Sequence, residues 1–232
     1  MNLKYKMKKY INIILFLITL FSNGLIGVRT DESTELDISP DNSTFSIWGL
    51  IYTSLFVSLL TIEKWTNYQT ILFSVSSFSN ILWLYFWSKK KIELANIFLF
   101  TLPLSLVLLW KSLLKSNNLL VLNSIGLYAG WTIGAFLLNT LISFKKNQVF
   151  KNNTLNNLGI ILFSLSQIVW QLYGLLSKQN NFFKGSITIP VVGIWTALGI
   201  YRNGDKKSTI YIITSILSLI NHLTNSINGF QL

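Results

Sequence analysis

Side chains suited to recognising a flat apolar molecule recur at helical spacing along this chain. Trp48 and Tyr52 are four residues apart, so a helix stacks them on one face, a turn from each other. Asn80, Trp83 and Trp87 follow an i, i+3, i+7 pattern. Tyr128, Trp131, Ala135 and Asn139 share one face, and so do Gln167, Trp170, Gln171 and Gly174. An indole or a phenol is a bulky apolar body with one polar tip, and amides add donors and acceptors that orient whatever lies between them. The chemistry on offer is stacking and hydrogen bonding. For any one set alone, helix packing or an interfacial aromatic belt is the competing reading. Trp83 and Trp131 resist it, because both sit several residues inside apolar runs.

The missing residue types narrow the chemistry further. There is no cysteine, which excludes disulfides, thiolate metal sites and cysteine nucleophiles. The single histidine, His222, rules out a multi-histidine metal box and reads as a capping or interfacial residue. No Asp, Glu, Lys or Arg lies deep in an apolar run; Glu63 and Glu93 stand at run ends. A catalytic acid/base pair is therefore not visible, nor is the buried ionisable group of a proton-coupled transporter. A binding protein is expected, without a metal or a catalytic residue.

The elements that must position these side chains are membrane helices. Of 232 residues, 51% are hydrophobic and 12% charged, and mean hydropathy is +0.49. An average soluble domain carries roughly 25% charged residues. The charges gather in clusters separated by long uncharged runs, the pattern of an all-α, multi-pass integral membrane bundle. Eight runs are expected as helices: 11–28, 45–62, 69–88, 94–110, 119–143, 155–176, 186–201 and 208–223. Two are short and carry Pro103 and Pro190. The first follows Lys4, Lys6, Lys8 and Lys9 and could be a secretory signal, but it is longer than a typical h-region and reads better as a first span. Asn-rich Lys145 to Asn157 divides a five-helix core, 1–144, from a three-helix extension, 145–232.

The formal charge of +11 does not point to nucleic acid, because the basic residues punctuate apolar runs instead of forming one face. Nor does it orient the chain. Nine positive residues fall on the N-terminal side of the bundle and ten on the other, no asymmetry for the positive-inside rule to use. The segment Arg29 to Thr44 holds five of the eight acidic residues. It passes through Ser39-Pro40 into a run of N-cap oxygens, Asp41 to Thr44, just before the helix that carries Trp48. It reads either as a lid over a pocket or as a solvated connection.

Taken in order, these pieces resemble the translocator protein/tryptophan-rich sensory protein (TspO/MBR) family, and more closely its longer tryptophan-rich relatives. The resemblance rests on Asn23-Gly24, Ser39-Pro40, Phe45-Ser46-Ile47-Trp48-Gly49-Leu50-Ile51-Tyr52, Asn80-Ile81-Leu82-Trp83 with Trp87, and Leu127-Tyr128-Ala129-Gly130-Trp131 with Ala135 and Asn139. Pro190-Val191-Val192-Gly193-Ile194-Trp195 with Ala197 is similar to a piece of the longer relatives. The resemblance implies a five-helix core whose first loop closes a pocket. It further implies a tetrapyrrole or sterol ligand held by Trp48, Tyr52, Asn80, Trp83, Tyr128, Trp131 and Asn139. This chain departs from the short members in having Leu127 where they have proline, in lacking their fourth-helix acidic residue, and in adding three helices. The expected partners are the bilayer and a hydrophobic small molecule, with homo-oligomers allowed and nucleic acid excluded. The function expected is that of a sensor or carrier. The alternative is a transporter or channel for a small neutral solute.

Overall fold

The computed structural model describes residues 3–26, 36–62, 64–116, 118–177 and 182–228. The part of the expected lid from Arg29 to Glu35 lies outside them. Among the described residues the regular structure is helical: α1 (Leu3–Ile26), α2 (Ile47–Thr61), α3 (Asn67–Ser88), α4 (Ile92–Leu113), α5 (Leu119–Lys146), α6 (Asn152–Ser177), α7 (Phe182–Gly185), α8 (Thr188–Arg202) and α9 (Thr209–Asn228). Seven of these are long and apolar enough to cross a membrane, α2 together with the 3-10 turn Asn42–Ser46 that leads into it. The protein is a polytopic membrane helix bundle.

The helix ends follow local chemistry. Thr66 caps α3 by accepting from the Gln69 N–H, while the Gln69 side chain accepts from the Thr66 N–H. Asn118 accepts from the Val121 N–H to start α5. Pro103 lies inside α4 without ending it, as proline can in a membrane helix packed between neighbours.

The seventh expected run, 186–201, is helical but short. Its helix is Thr188–Arg202, 15 residues, about 22 Å at 1.5 Å per residue against a hydrocarbon core of about 30 Å. The remaining depth is covered by the single turn α7, with a break at Ser186–Ile187. A break at membrane depth frees carbonyls that need donors. Trp110 of α4 donates its indole N–H to the Gly185 carbonyl at 2.9 Å, and Asn123 of α5 donates to the Lys184 carbonyl at 2.9 Å. Pro190 sits in the first turn of α8, where its missing N–H costs nothing.

α5 is the hub, packing against α2, α4, α6, α7 and α8. Glycines on α5 permit its close approach to α8. A Cβ on Gly126 would meet the Thr188 hydroxyl at 2.9 Å, and one on Gly130 would meet the Ile189 backbone at 3.5 Å. α9 runs along α6 and α8. Its buried face is polar: Ser215, Ser218 and His222, with Tyr211, while Ile210, Ile213, Leu217 and Ile220 face outward. His222 is thus not interfacial. It is fully buried, with one ring nitrogen 3.0 Å from the Ser186 hydroxyl and the other 2.7 Å from the Gln171 amide.

Candidate functional site

Trp48, the second residue of α2, is the centre of an aromatic cluster. Its ring stacks on Tyr52 at 5.3 Å and on Trp83 at 6.4 Å, and it meets Tyr128 edge-on at 5.9 Å and Trp131 at 6.2 Å. Phe45, from the 3-10 turn, stands perpendicular to Trp131 at 5.7 Å. Rings from α2, α3 and α5 therefore converge, and their centroid spacings lie within the range where aromatic pairs attract.

A cavity of about 100 Å3 opens beside this cluster. Of the seven residues singled out in the sequence, Trp48, Trp83, Trp131 and Asn139 line it. Tyr52, Asn80 and Tyr128 do not. They form a layer behind it, in which Asn23 of α1 donates to the Asn80 carbonyl at 2.7 Å and Asn80 donates to the Tyr128 hydroxyl at 2.9 Å. That chain of bonds ties α1, α3 and α5 together and fixes Tyr128 against Trp48. Asn139 donates to the Asn96 carbonyl of α4 at 3.0 Å.

Three polar atoms on the cavity-lining side chains are buried without a protein partner: the indole N–H groups of Trp83 and Trp131, and the side-chain oxygen of Asn139. Behind them the Tyr52 hydroxyl is in the same condition. Buried polar groups are almost always paired, and leaving one unpaired costs about 1–3 kcal/mol. Two donors and one acceptor on an otherwise apolar wall are what a ligand with a few polar groups would engage.

The cavity roof is the segment Leu36 to Ser46. Ser39, Pro40, Asn42 and Phe45 line the space from above. Helices of the extension hold this segment down. Trp195 of α8 donates its indole N–H to the Thr44 carbonyl at 2.8 Å, and the Asp41 N–H donates to the Gly199 carbonyl at 3.2 Å. Asn203 donates to the Ser39 carbonyl at 3.0 Å. Arg202 donates to the Asp41 carboxylate at 2.6 Å. Hydrogen bonds from the Arg202 guanidinium and then from the Thr44 hydroxyl hold the Asp41 carboxyl well below the usual carboxylate range. Gly199 is required where Thr44 presses on α8, because a Cβ there would collide with the Thr44 hydroxyl.

Sequence reasoning on the site missed Phe45, Phe163 and Thr196. Phe45 carried a signal, lying three residues before Trp48 on the same face. Phe163 of α6 and Thr196 of α8 carried none, since nothing local says that helices beyond residue 144 wall the cavity. Trp87 and Ala135, noted by their spacing, also line it.

Compared with known proteins, the chain matches the family model described as TSPO-like protein over residues 9–227. No curated protein and no solved structure matches it.

Proposed function

The chain belongs to the TSPO-like protein family, and on that premise we propose that it binds a flat hydrophobic ligand, a tetrapyrrole or a sterol, in the cavity beneath Leu36 to Ser46, as a sensor or carrier and not as an enzyme. The observation that carries this reading is the Trp48 ring cluster beside two buried, unpartnered indole N–H groups, those of Trp83 and Trp131. Flat rings suit a flat ligand, and two donors suit the carboxylates or carbonyls at its edge. A tetrapyrrole offers both features, and a sterol only one polar group, so the tetrapyrrole is favoured.

The size of the cavity adds a condition. At about 100 Å3 it is smaller than the roughly 300–1,000 Å3 of sites that enclose drug-sized molecules. A tetrapyrrole is admitted only if Leu36 to Ser46 lifts, so binding is coupled to lid motion. The test is tryptophan fluorescence of the purified protein titrated with a soluble porphyrin. Saturable quenching at micromolar concentration is expected, weakened at least tenfold by Trp48→Ala combined with Trp131→Ala. Absence of quenching, or quenching unchanged in that double variant, sinks the proposal.

One observation favours passage of a small neutral solute as the second reading. Between α6 and α9, the Gln167 side-chain oxygen and the Ser164 and Ser215 hydroxyls are buried without partners. A polar seam of this kind can conduct as well as glue helices. Uptake into proteoliposomes that survives the double tryptophan variant but is lost in Gln167→Leu would establish it.

A further inference from the structure

A second cleft opens on the same face of the bundle as the lid. It is lined by Asp37, Asn153, Asn156, Asn203, Gly204, Asp205 and Lys207, and measures about 380 Å3. Asp37 projects from the tight turn Leu36–Ser39, closed by the Ser39 N–H donating to the Leu36 carbonyl at 2.8 Å. Asn156 stands one turn into α6 and Asp205 at the corner between α8 and α9. The wall draws carboxylate and amide side chains from three separate elements, together with Lys207.

Asn156 is 95% buried, with a relative exposure of 5%. Its amide nitrogen donates to the Asp37 carboxylate at 2.5 Å. That bond fixes which end of the amide is which, since the nitrogen must face the carboxylate. The oxygen is left on the other side, buried and without a donor. An orphaned acceptor, on a cleft that the Asp37 and Asp205 carboxylates also line, leaves a place for a donor or a cation. Among the described residues, three basic side chains on this face already have partners: Arg202 bonds to Asp41, the Lys206 ammonium lies over the Tyr201 ring at 3.9 Å, and the Lys207 ammonium, although Lys207 lines the cleft, donates to Asn157 at 2.9 Å. One Asp205 oxygen caps its own turn by accepting from the Lys207 N–H at 2.9 Å.

We propose that Asp37, Asn156 and Asp205 form a binding site for a hard divalent cation, calcium in preference to magnesium. The donors are all oxygens, which excludes a soft-metal site; the one histidine lies toward the far end of α9. Ligands from three elements, mixing carboxylate and amide oxygens, suit the irregular, larger coordination shell of calcium better than the strict octahedron of magnesium. Only two carboxylates contribute, so the affinity belongs with weak sites, Kd about 10⁻⁴–10⁻³ M. Asp37 lies four residues before Asp41 on the segment that roofs the first cavity. An ion here pins that segment to α6 and to the α8–α9 corner. This coupling rests on the lid reading above, whereas the ion site itself does not.

The test is calcium titration of the chelator-stripped full chain in detergent, read by equilibrium dialysis with radioactive calcium and by the thermal unfolding midpoint. Saturable binding near one ion per chain is expected, with a rising midpoint and a much smaller response to magnesium. Asp205→Asn keeps the capping oxygen, since asparagine caps as well as aspartate, so its unfolding midpoint without calcium should be that of the parent. Its calcium affinity, and that of Asp37→Asn, should fall at least tenfold. Non-saturable binding, an effect reproduced by potassium chloride, an equal response to magnesium, or affinity unchanged in both variants would overturn the site. If calcium binds as described but leaves porphyrin association rates unchanged, the ion site stands and the lid coupling fails.

Discussion

Trp48 touches four other aromatic rings, of which only Tyr52 lies on its own helix. That pair could be read from a spacing of four residues. Trp83, Tyr128 and Trp131 could be read as members of helix faces, but their meeting on Trp48 depends on how α3 and α5 cross α2, which no local pattern encodes. The same limit explains why Tyr52, Asn80 and Tyr128, chosen with the cavity residues, lie one layer behind it. Asp41 shows a residue whose role was half legible. Its capping of the 3-10 turn follows from position alone, while its pairing with Arg202 spans 161 residues. Because the folded carboxyl titrates well below its unfolded value of about 3.9, the pair stabilises fully at pH 5 and above. That contribution is lost as pH falls through about 4 toward the folded value. The Arg202 side chain is 45% exposed, so solvent screening limits the effect to roughly 0.2–1 kcal/mol. Thermal unfolding should therefore place Asp41→Asn below the parent at pH 7 and at pH 5 by the same small margin, with the gap narrowing as pH falls below 4. A gap as wide at pH 2 as at pH 7 would mean that the charge contributes nothing.

At the level of helices, the apolar runs located seven spans, to within about five residues except at the start of α1, which begins eight residues early at Leu3, because a run of uncharged residues in a membrane protein has few alternatives to a helix. The helix expected at 186–201 is present but too short to span, and it is instructive for the same reason. The break before α8 survives only because donors from α4 and α5 reach its freed carbonyls, and those donors lie more than 60 residues away in sequence. The Trp110 indole N–H is the clearest of them, fully buried and bonded to the Gly185 carbonyl. Trp110→Phe keeps an aromatic ring near Trp170 and Phe182 but removes the donor. The expected cost is about 1–3 kcal/mol for the buried carbonyl left unpaired, seen as a lower unfolding midpoint in detergent. A parent-like midpoint would show that the break satisfies itself. The polar stripe of α9, at a spacing of four, three and four from Tyr211 to His222, was not read from the sequence. It inverts the usual arrangement, since lipid takes the place of water around the bundle and the interior is where polar groups find partners.

For the molecule as a whole, a boundary near residue 144 separates a five-helix core from an extension on the sequence alone, yet the roof over the cavity is held by α8. Trp195, Gly199, Arg202 and Asn203 together seat Ser39 to Thr44. The extension thus controls access to a cavity whose aromatic wall comes from the core. If the ligand must displace that roof, fastening it to α8 should block binding without altering the wall. The chain has no cysteine of its own, so a pair can be introduced cleanly. A Cβ placed on Gly199 lies 3.0 Å from the Thr44 Cβ, a little inside the usual disulfide separation of about 3.5–4.5 Å, and a small shift of the roof brings the two into range. Thr44→Cys with Gly199→Cys, oxidised, should slow porphyrin association at least tenfold, and reductant should restore the rate. Each single-cysteine variant should bind at one rate with or without reductant. Association equally fast in the oxidised double variant would mean that the ligand reaches Trp48 from the lipid side, between helices, and that Leu36 to Ser46 is a fixed roof and not a lid.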